Sequence, residues 1–193
     1  MSFRDPPASA AWEHTDVRTG FEVVFLAARG TDLKATGSTA ALEGEEAWAV
    51  HYSIALAGRW TTRSVHASSL TSSGRREVQL EADGAGGWRV DGERAPHLDG
   101  CLDADLESSC LTNAFPVHRL ALDVGQAAKA PAAFVRALDL RVERLEQRYE
   151  RLEDVGGRQR YSYAAPAFDF ECELAYDESG LLVAYPGIGR RIG

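Results

Sequence analysis

Between Leu98 and Leu120 the chain gathers many of its chemically capable side chains: Asp99, Asp103, Asp105, Cys101, Cys110, Asn113, His118 and Arg119, set among spaced apolar residues. Carboxylates grouped this way can divide acid and base roles, or accept hydrogen bonds from sugar hydroxyls at a barrel mouth. The plainer alternative is a turn aspartate before Gly100 and two solvent-facing strand positions, the default for acidic side chains. Asp99-Gly100 is not an aspartic-protease motif, because no Ser or Thr stands between the two residues.

Other chemistries fit less well. His97, Cys101, Cys110 and His118 are separated by three, eight and seven residues, without the close pair of a structural zinc site. The sequence therefore predicts no metal, and thiols packed as small hydrophobes. There is no Gly-x-Ser-x-Gly elbow, and a Cys101–His118 dyad would need a strained turn that alternating strand residues do not provide. The glycines from Gly187 to Gly193 have the wrong spacing for a dinucleotide loop, and no cofactor is expected.

The elements that must position these groups read as strands. From Cys101 to Leu106 polar and apolar residues alternate, the period of a half-buried strand. Pro116 predicts that Phe115-Pro116-Val117 is extended. Upstream, Phe21–Ala28 and Trp48–Leu56 are β-branched and aromatic runs read as buried strands, with turn chemistry from Gly30 to Gly37. Trp60–Ser68 alternates, Arg76–Glu81 follows, and Asp83-Gly84 with Gly86-Gly87 marks a hairpin into Trp88-Arg89-Val90. Pro131–Asp154 also carries a helical spacing through Leu138, Val142, Leu145, Tyr149 and Leu152. The reading chosen there is strands from Leu138 onward, with a helical turn near Ala132 to Val135.

Composition sets the outer bounds. A chain of 193 residues, 45% hydrophobic and 26% charged, can bury one substantial core. A net charge of −8 without a basic block argues against nucleic acid or an anionic membrane as partner. The first residues lack the apolar core of a secretory signal, no run approaches membrane-spanning length, and three cysteines suit reduced thiols, so a cytoplasmic location is expected. Residues 1–11 read as a flexible lead-in and 12–193 as one β domain. The stretch Leu80–Asp83, turn, Gly87–Val90 is echoed by Leu174–Asp177, turn, Gly180–Val183. The offset is 94 residues at Asp83/Asp177 and 93 at Val90/Val183, which suggests a tandem duplication of about 12–95 and 96–193.

The pieces Leu98-Asp99-Gly100-Cys101, Asp103-Ala104-Asp105-Leu106, Thr112-Asn113, Pro116 and Arg119-Leu120 together resemble the putative glycolipid-binding family of bacterial proteins. Gln147-Arg148-Tyr149, Tyr161-Ser162-Tyr163 and Gly180 to Gly187 match it as well. The resemblance implies two similar β half-barrels joined into one curved sheet, akin to bacterial lipoprotein carriers, and a lipid or glycolipid ligand.

The combined expectation is a mainly β protein with little helix, an antiparallel β-barrel or two half-barrels forming one curved sheet, with an internal cavity. Aromatics on a curved sheet make an amphipathic wall, and Trp60, Trp88, Tyr149, Tyr161, Tyr163, Phe168 and Tyr185 fall on predicted strands, Tyr161 and Tyr163 on one face. Trp88, Tyr149, Tyr161, Tyr163 and Tyr185 are the expected wall; Asp103, Asp105, Asn113, His118, Arg119 and Arg148 are the expected polar contacts. The expected role is non-catalytic binding of a lipid or glycolipid, with a homodimer allowed. Two alternatives stand beside it: an enzyme using Asp103, Asp105 and His118 in the same pocket, and an interaction protein whose barrel is filled by its own side chains.

Overall fold

The computed structural model describes residues 3–192. Its strands are β1 (Ser9–His14), β2 (Thr19–Arg29), β3 (Asp32–Glu43), β4 (Glu46–Ala57), β5 (Thr61–Thr71), β6 (Gly74–Ala82), β7 (Trp88–Val90), β8 (Glu93–Arg94), β9 (Asp103–Leu106), β10 (Ala127–Lys129), β11 (Ala132–Val135), β12 (Val142–Leu145), β13 (Arg148–Val155), β14 (Arg158–Ala165), β15 (Phe170–Tyr176), β16 (Leu182–Tyr185) and β17 (Gly189–Ile192). One α-helix, α1 (Ala114–Leu120), is present among the described residues. None of the described helices is long and apolar enough to cross a membrane.

Fourteen strands form one antiparallel sheet in the order β10-β13-β14-β15-β16-β17-β1-β2-β3-β4-β5-β6-β7-β8. Strand β1 lies between β17 and β2, so the two ends of the chain are stitched together at mid-sheet and two wings extend from them. Strands β8 and β10 remain at opposite edges, so the structure is a curved sheet and not a closed barrel. The structure thus has the curved sheet the sequence predicts and lacks the closed-barrel alternative.

Alternation explains the long strands. On β2, Gly20, Glu22, Val24 and Leu26 face inward, while Phe21, Val23 and Phe25 face solvent at 54%, 41% and 62% exposure. The run is therefore half-buried, not fully buried as its composition suggests. The inner face of this wing also carries polar residues, and each of several meets the segment from Cys101 to Leu145 that packs across it. Thr62 Oγ1 accepts from the Ala104 amide at 2.9 Å, Thr39 Oγ1 donates to the Ser108 carbonyl at 2.7 Å, and Ser69 Oγ donates to the Ala137 carbonyl at 2.7 Å. Buried polar groups need such partners, since leaving one unpaired costs about 1–3 kcal/mol. Those contacts fix where the crossing segment lies.

That segment departs most from the sequence reading. Strand β9 starts at Asp103, pairs in parallel with β11, and is buried at all four positions because both of its faces are covered. Asp103 and Asp105 are thus interior residues, not solvated strand positions. Phe115-Pro116-Val117 is not extended but lies in α1, with Pro116 in the first turn, where its missing N–H forfeits no intrahelical bond. Ala132–Val135 is a strand between β12 and β9, not a helical turn. Ala137 to Asp139 forms a turn, Leu140 follows it at φ 57°, and the extended chain resumes only at Val142, not at Leu138. Near the N-terminus, Ser9 to Ala11 already belong to β1 and not to a flexible lead-in, and the expected Gly30–Gly37 turn closes by Asp32.

Candidate functional site

Where the crossing segment meets the second wing, a cavity of about 270 Å³ opens. Its wall is apolar: Phe134 from β11, Phe170 from β15, Phe168, Tyr185 and Ile188. Rings interlock along it, with Phe170–Tyr185 centroids 6.0 Å apart and Tyr163–Tyr185 centroids 5.9 Å apart, edge to face. At the rim the Arg136 guanidinium lies 5.2 Å from both the Phe134 and Phe168 rings, and it is held by Glu107 at 3.2 Å and Glu143 at 2.8 Å.

The cavity floor is polar and closely connected. Asp105 accepts from Thr112 Oγ1 at 2.7 Å and from Gln147 Nε2 at 2.6 Å; Gln147 Nε2 also donates to the Tyr163 hydroxyl at 2.9 Å. Tyr149 donates to Asn113 Oδ1 at 3.0 Å from beneath. Burial pushes the Asp105 carboxyl up to about 6, against the pull of Thr112 and Gln147; the charges of Asp103 and Glu107 push the same way. A carboxylate offers about four acceptor sites, so Asp105 keeps capacity after these two bonds.

A second network lies just behind the cavity. Glu22 on β2 is fully buried; its Oε1 accepts from the Tyr52 hydroxyl at 2.5 Å and from Ser109 Oγ, and its Oε2 from the Cys110 amide at 2.7 Å. Gly37 lies opposite Tyr52, and a Cβ there would stand 2.3 Å from the phenol, so the missing side chain is what lets Tyr52 reach Glu22. Burial raises the Glu22 carboxyl to about 7, opposed by its hydrogen bonds.

The predicted residues divide accordingly. Asp105, Asn113, Tyr163 and Tyr185 line the cavity, with Tyr149 directly below. Asp103 is instead held by Arg119 in a fork, Nε at 3.0 Å from Oδ1 and Nη2 at 2.5 Å from Oδ2. His118 lies apart, stacked on Trp60 with centroids 3.7 Å apart and planes 3° from parallel, its titration lowered to about 4 by burial. Of the three residues named for a catalytic alternative, only Asp105 therefore reaches the cavity. Trp88 is core, its Nε1 donating to the Cys101 carbonyl at 2.8 Å. Tyr161 borders a separate hollow of about 190 Å³, and Arg148 points outward to Glu150 at 2.7 Å. His97, Cys101, Cys110 and His118 do not converge as a ligand set.

Sequence reasoning missed Phe134, Phe170, Arg136, Ile188 and the Glu22–Tyr52 pair. Phe134 sits in a strand covered on both sides and so shows no alternation. The one available signal for Glu22 is that it shares parity with Val24 and Leu26.

A family model described as putative glycolipid-binding matches residues 9–191. The chain belongs to that family. A crystal structure of a DUF1089 family protein from Pseudomonas aeruginosa is similar at 29% identity and a TM-score of 0.75, over 98% of this chain and 95% of that one. A β-barrel-like protein of the domain of unknown function DUF1849 from Brucella abortus is similar in fold, with a TM-score of 0.58 and 9% identity over 99% of this chain and 98% of that one. Among curated proteins none matches.

Proposed function

We propose that this member of the glycolipid-binding family holds a small glycolipid-like amphiphile in the cavity beside Tyr163, without transforming it. The observation that carries this reading is the pairing of an aromatic wall with a carboxylate floor. Phe134, Phe168, Phe170 and Tyr185 offer apolar surface for an alkyl chain, while Asp105 retains acceptor sites for sugar hydroxyls. The head sits on the floor and the tail runs along the rings toward Arg136. A volume of about 270 Å³ is just below the range typical of drug-sized ligands, so it suits one sugar ring with a short alkyl segment, or that part of a longer lipid.

The test is calorimetric titration with octyl β-glucoside below its micelle concentration. Saturable binding at one site is expected, weakened at least tenfold in Ala165→Phe, where a ring on the buried β14 residue Ala165 of the lining fills the cavity, and in Asp105→Ala, which removes the acceptor. Absence of binding, or binding indifferent to Ala165→Phe, contradicts the reading.

A further inference from the structure

Behind the cavity, three buried side chains from three parts of the chain point at one spot. His14 ends β1, Glu22 lies on β2, and Cys110 precedes the turn leading into α1. The β1–β2 register sets Trp12 opposite Glu22 and His14 opposite Gly20, so His14 and Glu22 are diagonal neighbours on the inner face. One ligand atom from each of His14, Glu22 and Cys110 lies within 4.8 Å of the other two, and they are the sole such set among the described residues. We propose that these three bind a thiophilic divalent cation, with Zn²⁺ as the natural choice.

Four observations support the assignment. First, His14 is 2% exposed, and neither ring nitrogen makes a hydrogen bond of good geometry, the backbone of Ile188 acting on the ring only weakly. A buried imidazole without partners is costly and rare in a folded protein, and a metal is the ligand such a nitrogen serves best. Second, the space is kept open by glycine. His14 is flanked across the ladder by Gly20 on β2 and Gly189 on β17, and a Cβ on Gly189 would stand 3.0 Å from Cys110 Sγ. Third, the donor set of one imidazole, one thiolate and one carboxylate is the mixed N, S, O chemistry that zinc accepts, with a fourth position left for water or another ligand. Fourth, a thiolate and a carboxylate sum to −2, which a dication cancels, while the nearby buried Arg18 cation is answered by Glu43 at 3.6 Å.

The geometry asks for a modest adjustment. Bonds of about 2.0–2.3 Å place tetrahedral ligands roughly 3.5 Å apart, so the His14 and Cys110 side chains must draw toward the fixed Glu22 carboxylate by side-chain rotation rather than by backbone motion. Glu22 can serve while keeping its bonds to Tyr52 and Ser109, since a carboxylate has lone pairs to spare. Binding releases to solvent the Cys110 thiol proton and the proton that burial keeps on part of the Glu22 population near neutral pH. Entry runs through the cavity, whose lining includes Ser109, Arg18 and Ile188 beside the cluster. The Arg18 cation is already engaged by Glu43 at 3.6 Å and by the Glu107 carbonyl at 3.0 Å.

The experiment is spectroscopic titration of the reduced, full-length protein with Co²⁺, followed by displacement with Zn²⁺ and metal analysis of the product. We expect a thiolate-to-cobalt charge-transfer band saturating at one ion per chain and bleached by Zn²⁺. It should persist in Cys101→Ala and Cys172→Ala, and vanish in Cys110→Ala and His14→Ala. A wild-type protein that shows no such band, or a band that follows Cys101 or Cys172, overturns the proposal even if the Cys110 and His14 variants fail to fold.

Discussion

The amide of Gln147 donates to both the Asp105 carboxylate, at 2.6 Å, and the Tyr163 hydroxyl, at 2.9 Å. One nitrogen thus couples a crossing strand of the small sheet to the aromatic face of the large one, directly under the cavity. It holds an acid in an apolar pocket without a cation to neutralise it, and that has a measurable signature.

The Asp105 carboxyl sits at about 6 against an ordinary 3.8. A group raised in the folded state favours folding below its unfolded value and loses that benefit as the pH rises through the folded one. Asp105→Asn should therefore gain stability relative to wild type between about pH 4 and pH 6, reaching about 2–3 kcal/mol at neutral pH. Urea unfolding at pH 4, 5, 6 and 7 reads this difference. A gap independent of pH would show that the carboxyl is not desolvated as described.

His118 gives the opposite sign. Its titration is lowered to about 4 from 6.5, because the ring is buried against Trp60 and Phe3. The contribution is present above pH 6.5 and lost as the pH falls toward 4, by up to about 3 kcal/mol. His118→Phe keeps an aromatic ring against Trp60 and cannot charge. It should lose less stability than wild type between pH 7 and pH 4.5 in the same unfolding experiment.

The Asp103–Arg119 fork is structural. Removing the cation leaves a buried carboxylate uncompensated, so Arg119→Ala should cost about 3–5 kcal/mol, while adding Asp103→Asn should restore much of it. Thermal unfolding of the two single variants and the double variant closes this cycle. Additive losses would mean the pair is not coupled.

The wings of the sheet were legible because β5 and its neighbours alternate and because Asp83, Gly84 and Gly87 signal a tight turn. The segment across them was not. In β9 and β11 both faces are covered, so the period of two that marks a half-buried strand disappears. Pro116 is as compatible with the first turn of a helix as with extended chain, and only the packing of α1 decides. On β2 both faces carry apolar side chains, Val24 and Leu26 with Glu22 on one and Phe21, Val23 and Phe25 on the other, so the parity of Glu22 with Val24 and Leu26 does not by itself say which face is buried. What decides it is the Ser109 hydroxyl and the Cys110 amide, 87 and 88 residues away, which both donate to the Glu22 carboxylate. Asp105, Asn113, Tyr163 and Tyr185, named from residue type, strand position and the family resemblance, line the cavity, whereas placing Phe134 and Phe170 there needed the fold.

Native mass spectrometry of the freshly purified protein reads directly whether the cavity holds an amphiphile, as proposed. The wild-type protein should carry added mass that extracts into organic solvent as an acyl-containing glycoside, and an Ala165→Phe protein, equally folded by circular dichroism, should carry none. A wild-type protein that is free of added mass and takes up no octyl β-glucoside would contradict the proposal.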